Sequence, residues 1–237
     1  MHHSSFWPRE EVDVKSKRCA VIGTGASGVQ IVQNWGPKAG DLKVFQRTPN
    51  LCFPMRRRAL SPEEQDSKKE GYPELFASRE TTFGGLLFDW YDKCTTDDTP
   101  EEREAFYSSI WKEGGFKYWV GTYKDNLVNA EANRHSYKFW REQTQARIND
   151  PRKRELLAPG QQAHFLGIKR PSLECDYYEQ FNRPNVDVID IRSNAIKEFS
   201  ETGIIMEDGM HYEVDVVALA TGFVSPTPYW GSLAVCC

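Results

Sequence analysis

No stretch of this 237-residue chain stays apolar for the ~18–20 residues that a membrane-spanning helix needs. No secretory leader is visible either, because the first ten residues hold two histidines, a proline, an arginine and a glutamate. A basic excess is missing: 30 Lys and Arg stand against 34 Asp and Glu, for a formal charge of −4, which speaks against a nucleic-acid partner. The clusters Arg56-Arg57-Arg58 and Arg152-Lys153-Arg154 are short and read as solvated loop or helix-end charges. The six cysteines share no C-x-x-C spacing, and the pair Cys236-Cys237 is neither a zinc nor a redox arrangement. The five histidines form no H-E-x-x-H pattern and no G-x-S-x-G elbow is present, so metal-dependent and serine-nucleophile hydrolysis have no carrier. No metal site is expected. These absences leave a reducing, intracellular, cytoplasmic protein. Its 39% hydrophobic content suffices for the core of one large domain, or of one domain carrying an insertion.

The sequence "CAVIGTGASGVQIV", Cys19 to Val32, is where chemistry enters. A buried strand runs into G-x-G-x-x-G, and an apolar helical pattern follows, Ser27 to Trp35, closed by Gly36-Pro37. Gly23 permits the tight turn, Gly25 lets backbone approach a pyrophosphate, and Gly28 lets helix and strand pack closely. Phosphates would sit on the free N–H groups at the helix start, with Thr24, Ala26 and Ser27 beside them and the Ser27 hydroxyl on the phosphate side. A second strand, Leu42 to Gln46, completes a βαβ unit, the context that makes the glycine pattern specific. Dinucleotide sites for NAD place a carboxylate at the end of that strand. Here stand Gln46-Arg47-Thr48. A guanidinium in place of the acid pairs a 2′-phosphate, which points to NADPH.

From about Leu60 to Asp150 the texture becomes helical. Ser61-Pro62 and Thr99-Pro100 are helix-start pairs, Gly114 ends the second helix, and Asn126 to Ile148 is a further helical stretch. Aromatics recur at helical spacing from Phe83 to Trp140 and read as core rather than as a substrate wall. After Pro159-Gly160 the α/β texture returns. Val186 to Ile191 is a strand, Ala195–Phe199 and Gly203–Glu207 form a hairpin, and "VDVVALATG" is a buried strand ending in a glycine turn. The tail from Ser225 to Cys237 has no periodicity.

The Gly loop, "QRTPN", "HSSFWP", "GIKRPSLECDYYEQFNRPNVDVID" and "DVVALATGF" occur in an order that resembles the flavin-dependent Baeyer–Villiger monooxygenases. His3, Trp7 and Pro8 fit the second half of that family's F-x-G-x-x-x-H-x-x-x-W-P fingerprint. The resemblance runs from His3 to Phe223 and implies an α/β fold: a Rossmann-like NADP-binding domain with a helical insertion, plus part of the segment returning to an FAD domain. It divides the chain into a fingerprint linker 1–15, Rossmann halves 16–59 and 159–218, an insertion 60–158 and a return segment 219–237. It implies that Arg47, Thr48 and Lys169 meet the NADPH phosphates, and that Arg170 is the active-site arginine. It also implies that Ala220-Thr221-Gly222 turns toward the flavin and that His3 is a hinge residue, which at a chain end is expected to be disordered. The implied cofactors are NADPH and FAD, the FAD site being incomplete here, and the implied substrates are a small ketone and oxygen. Such a chain is expected to be the NADPH half of the enzyme, inactive by itself. An N- or S-oxygenating flavin monooxygenase and an NADPH-binding module without flavin remain open alternatives.

Overall fold

The structure is a computed structural model and describes residues 1–222; residues 223–237, which hold most of the expected return segment, lie outside the described residues. In chain order the elements are β1 (His2–His3), β2 (Arg18–Ile22), α1 (Ala26–Trp35), β3 (Asp41–Gln46), β4 (Phe53–Pro54), α2 (Pro62–Lys69) and α3 (Tyr72–Ser78). Then come α4 (Pro100–Glu113), α5 (Lys117–Val120), α6 (Ala130–Gln145), α7 (Pro151–Leu157), β5 (Leu173–Glu174) and α8 (Tyr177–Gln180). The chain closes with β6 (Val186–Asp190), β7 (Ile196–Phe199), β8 (Gly203–Met206), β9 (His211–Glu213) and β10 (Val216–Leu219).

Five strands form a wholly parallel sheet in the order β1-β10-β2-β3-β6. Its strands alternate strictly. Cys19, Val21, Leu42, Val44, Val216 and Ala218 face the large core, which also receives Val29, Val32 and Trp35 of α1. Ala20, Ile22, Phe45 and Val217 face the other way and meet Ile204 and Met206 of the β7-β8-β9 antiparallel meander. Both faces are therefore dry, which is why these strands read as continuous apolar runs. The sequence-derived strand, helix and hairpin bounds hold to within a residue or two in this half, and the parallel sheet is the α/β architecture that was expected.

His3 differs from expectation. His2 and His3 pair in parallel with Ala218 and Leu219, so the main-chain ladder orders the chain start. The His3 Nδ1 accepts from the Ser5 amide at 3.1 Å.

The intervening segment is mainly helical; its longest non-helical stretch, residues 79–98, carries two short 3-10 turns, and Tyr91 in it forms an isolated bridge with Tyr123. Thr99 caps α4 and exchanges hydrogen bonds with Glu102 in a capping box; Pro100 follows, and Gly114 ends the helix with φ of 77°. Tyr107, Trp111, Tyr118, Phe139 and Trp140 are buried together in edge and stacked contacts, and their cluster is continuous with the sheet's main core. The aromatics thus act mainly as packing, although Phe83 is 54% exposed. Among the described residues no helix is long and apolar enough to cross a membrane.

An exposed clasp joins the start of β2 to the approach to β10. Asp215 accepts from the Arg18 backbone N–H at 2.9 Å and from its guanidinium at 2.6 Å, and Glu213 pairs with the same guanidinium. These bonds hold the Asp215 carboxyl down at about 2, the Arg18 side chain being the larger cause. An unfolded Asp titrates near ~3.9, so the clasp's contribution is fully present above that pH and disappears as pH falls through the folded value. Thermal melts between about pH 5 and pH 2 should show Tm falling in wild type and falling less steeply in Asp215→Asn. Parallel curves would remove the clasp from the acid response.

Candidate functional site

The chain leaves β2 toward β3 on one side while β10 lies on the other, so a crevice opens at the carboxyl ends of these strands. The Gly23 amide donates to the Phe45 carbonyl at 3.0 Å and the Ala220 amide to the Ile22 carbonyl at 2.8 Å. These bonds bring the β2–α1, β3 and β10 exits into one rim. Gly23 has φ of +99°, and a Cβ there would lie 2.4 Å from the Ala220 carbonyl oxygen. A Cβ at Gly28 would lie 2.1 Å from the Gly23 carbonyl oxygen. Both glycines are required by the protein's own packing. Gly25 is different: nothing lies within 4 Å of the position its Cβ would take, and its φ is −66°. The fold places no demand for glycine there, so the bare Cα fits a ligand that approaches the backbone closely.

Above this rim is a cavity of about 960 Å³, near the top of the ~300–1,000 Å³ range of small-molecule sites. Gly23, Thr24, Gly25, Ala26, Arg47, Thr48, Lys169, Arg170, Ala220 and Thr221 all line it. Residues scattered over 199 positions are thereby gathered around one space. Three cations line it, Arg47, Lys169 and Arg170, and no carboxylate among the described residues does. The N-terminus of α1 opens on the same space. It has no side-chain cap and no acidic residue in its first turn, so its amide N–H groups and dipole remain directed at an incoming anion. In a chain of net charge −4, a pocket with this charge balance is built for an anion.

The loop carrying Lys169 and Arg170 is anchored from below. Trp119 donates its indole N–H to the Gly167 carbonyl at 2.9 Å. Gly167 has φ of +87°, and a Cβ there would strike that indole at 2.7 Å. The Arg170 guanidinium lies 5.3 Å from the centroid of the Phe116 ring, which makes an edge contact with Trp119. After the loop, Glu174 is buried against Arg147 at 2.8 Å, and Arg147 also holds Glu179 at 2.6 Å. The helical segment thus supports the cationic side of the cavity.

Five of the expected residues fall elsewhere. Ser27 lines a second cavity of about 450 Å³, which shares Gln30 with the first, together with Trp7, Glu11, Asn34 and Trp35. Ser27 does not line the main cavity, whereas Ala26, one residue and ~100° of helical turn before it, does. Trp7 packs on Trp35 with ring centroids 5.9 Å apart, and His3 and Pro8 do not line the main cavity. Gly222, with φ of +95°, is exposed beyond the rim.

The sequence reading missed Asn50, Ser172 and Phe116. Asn50 and Ser172 sit inside "QRTPN" and "KRPSL", stretches already singled out, but neither carries a charge that would single it out by itself. Phe116 lies in the helical segment, where its contact to Arg170 spans 54 positions and leaves no local signal.

No family model matches the chain. Individual relatives do. The FAD-binding monooxygenase acrE of Aspergillus aculeatus is 53% identical over 227 residues, covering 96% of this chain and 38% of that protein. Cyclopentanone 1,2-monooxygenase of a Comamonas species is 41% identical over 226 residues, covering 95% of this chain and 41% of that protein. Among solved structures, OTEMO in complex with FAD and NADP superimposes with a TM-score of 0.90 at 37% identity, over 94% of this chain and 42% of that one. The chain spans about two fifths of the length of these relatives.

Proposed function

From a chain whose homologues are flavin-binding and Baeyer–Villiger monooxygenases, we propose that this protein is the NADPH-binding portion of such an enzyme. The parent reaction in this reading inserts oxygen next to the carbonyl of a small ketone and gives an ester or lactone. The observation that carries it is the cavity: three cations, no carboxylate among its described lining residues and an uncapped helix N-terminus around a bare Gly25. The donor set fits a dinucleotide carrying three phosphates. The α1 amides receive the pyrophosphate, with Gly25 letting it approach. Arg47 and Lys169 hold the 2′-phosphate by charge-assisted hydrogen bonds, and the Thr48 backbone follows the ribose. Arg170, steadied on Phe116, presents a permanent positive charge where negative charge develops during oxygen transfer. Ala220, Thr221 and Gly222 form the turn toward the flavin, and His3, Trp7 and Pro8 act as the hinge between the two nucleotide regions. When bound, NADPH supplies hydride, and FAD with oxygen supplies the insertion; the protein positions both. The free, buried thiols Cys19 and Cys52 suit a reducing cytoplasm.

The test uses the chain itself. Titration should show NADPH binding without FAD, with NADPH preferred over NADH by about tenfold or more. After incubation with excess FAD and desalting, the protein should be colourless. A folded chain that ignores NADPH overturns the dinucleotide site, and a retained yellow band overturns the division of labour between the two nucleotide regions.

A further inference from the structure

We infer that Asn50 is a positioning residue that sets the spacing between the phosphate loop and the Lys169–Arg170 segment; the inference rests on the dinucleotide reading above. Its side-chain Nδ2 donates to the Thr24 carbonyl at 2.7 Å and to the Ser172 hydroxyl oxygen at 2.7 Å. Thr24 belongs to the glycine loop, and Ser172 follows Lys169 by three residues and Arg170 by two. Asn50 itself follows Arg47 by three. One carboxamide therefore ties together the three segments that supply the pyrophosphate donors, the cation at the end of β3 and the two cations of the loop. The orientation of the amide is fixed chemically, because a main-chain carbonyl only accepts and the NH2 must face it.

Four further bonds hold Asn50 and its neighbours in place. The Thr24 hydroxyl donates to the Thr48 carbonyl at 2.8 Å, closing a ring between the glycine loop and the turn after Arg47. The buried Tyr178 hydroxyl donates to the Asn50 carbonyl at 3.0 Å and accepts from the Cys52 amide at 3.1 Å. The Phe53 amide donates to the Ser172 carbonyl at 2.9 Å, so the strand after Asn50 and the segment after Arg170 also meet through main chain. Asn50 and Ser172 both line the main cavity, so the clamp lies at the ligand rather than behind it. A residue that only stabilised the fold would affect every ligand alike. A residue that sets this spacing affects long ligands, which touch both the glycine loop and the cations, more than short ones that touch the cations alone.

The experiment compares NADPH with adenosine 2′-monophosphate on wild type, Asn50→Ala and Ser172→Ala, by calorimetric titration of the full chain. The 2′-mononucleotide reads the Arg47 and Lys169 end, whereas NADPH must also reach the α1 amides. Asn50→Ala should weaken NADPH about tenfold and the mononucleotide by less than about threefold. Ser172→Ala, which leaves the Thr24 bond intact, should weaken NADPH about threefold. Hydrogen exchange of residues 167–172 should rise in both unliganded variants while α1 and the sheet keep wild-type protection. Absence of NADPH binding in wild type removes the dinucleotide reading and this inference with it. NADPH binding in wild type that Asn50→Ala leaves unchanged removes the inference alone. A parallel loss of both ligands together with Tm makes Asn50 merely structural and also overturns it. If Asn50→Ala does not fold, Ser172→Ala is decisive by the same criteria.

Discussion

Replacing Arg47 by alanine is expected to weaken NADPH binding by roughly 10- to 150-fold while NADH changes by less than about threefold. The argument begins at the end of β3. Gln46, the last residue of that strand, is buried and donates its side-chain amide to the Leu156 carbonyl at 2.7 Å. That bond fixes the backbone from which Arg47 projects into the cavity. A charge-assisted hydrogen bond to a phosphate is worth about 1.5–3 kcal/mol, and NADH lacks the phosphate that would receive it. Lys169, on the facing loop, is a mobile point charge rather than a planar fork, so Lys169→Ala is the milder of the two changes. Arg47 and Lys169 are both exposed, so the preference for NADPH should shrink as salt is raised. Equal weakening of both nucleotides by Arg47→Ala would place the guanidinium on a part that they share, and the 2′-phosphate assignment would be wrong.

The nature of that site explains what was legible in the sequence. The β2–α1–β3 unit is encoded locally. A continuous apolar strand, a glycine turn and an apolar-patterned helix closed by Gly36-Pro37 lie within thirty residues, and each leaves a pattern that a chain position carries by itself. The meander could be read for the same reason, since Asp208-Gly209 marks its second turn and φ at Gly209 is +86°. Chemistry at the cavity's far side was legible only through motif order. Nothing in the local pattern of "GIKRPSL" says that Lys169 faces Arg47 across a space, because the closing contacts, Trp119 to Gly167 and Arg170 to Phe116, join distant segments. Asn50 went unnoticed because a neutral amide after a proline has an ordinary turn reading, and only three-dimensional closure turns it into a clamp. Ser27 belongs to the motif yet lines the second cavity and not the main one. A motif gives the residues near a phosphate, while the helical rotation decides which of their side chains face it.

The glycine loop allows fold and function to be separated by single methyl groups. Gly28→Ala is expected to destabilise the chain by about 1–3 kcal/mol or more, or to prevent folding. Its new methyl would sit 2.1 Å from the Gly23 carbonyl oxygen, which is main chain and cannot swing aside. The Gly23 carbonyl cannot retreat either, because Gly23 is itself held against Ala220 at the exit of β10. Gly25→Ala should instead leave Tm unchanged or slightly raised. Its φ of −66° suits alanine, no atom lies within 4 Å of the new methyl, and alanine reduces the freedom of the unfolded chain. The same methyl would occupy the surface on which a pyrophosphate must rest, so NADPH binding should fall by at least about tenfold. Differential scanning calorimetry and nucleotide titration on the two variants measure both arms. A Gly25→Ala protein that melts like wild type and binds NADPH undiminished would show that the ligand does not approach the loop at that Cα. A Gly28→Ala protein with wild-type Tm would mean that α1 shifts away from the turn more easily than the tight packing of Gly23, Gly28 and Ala220 implies.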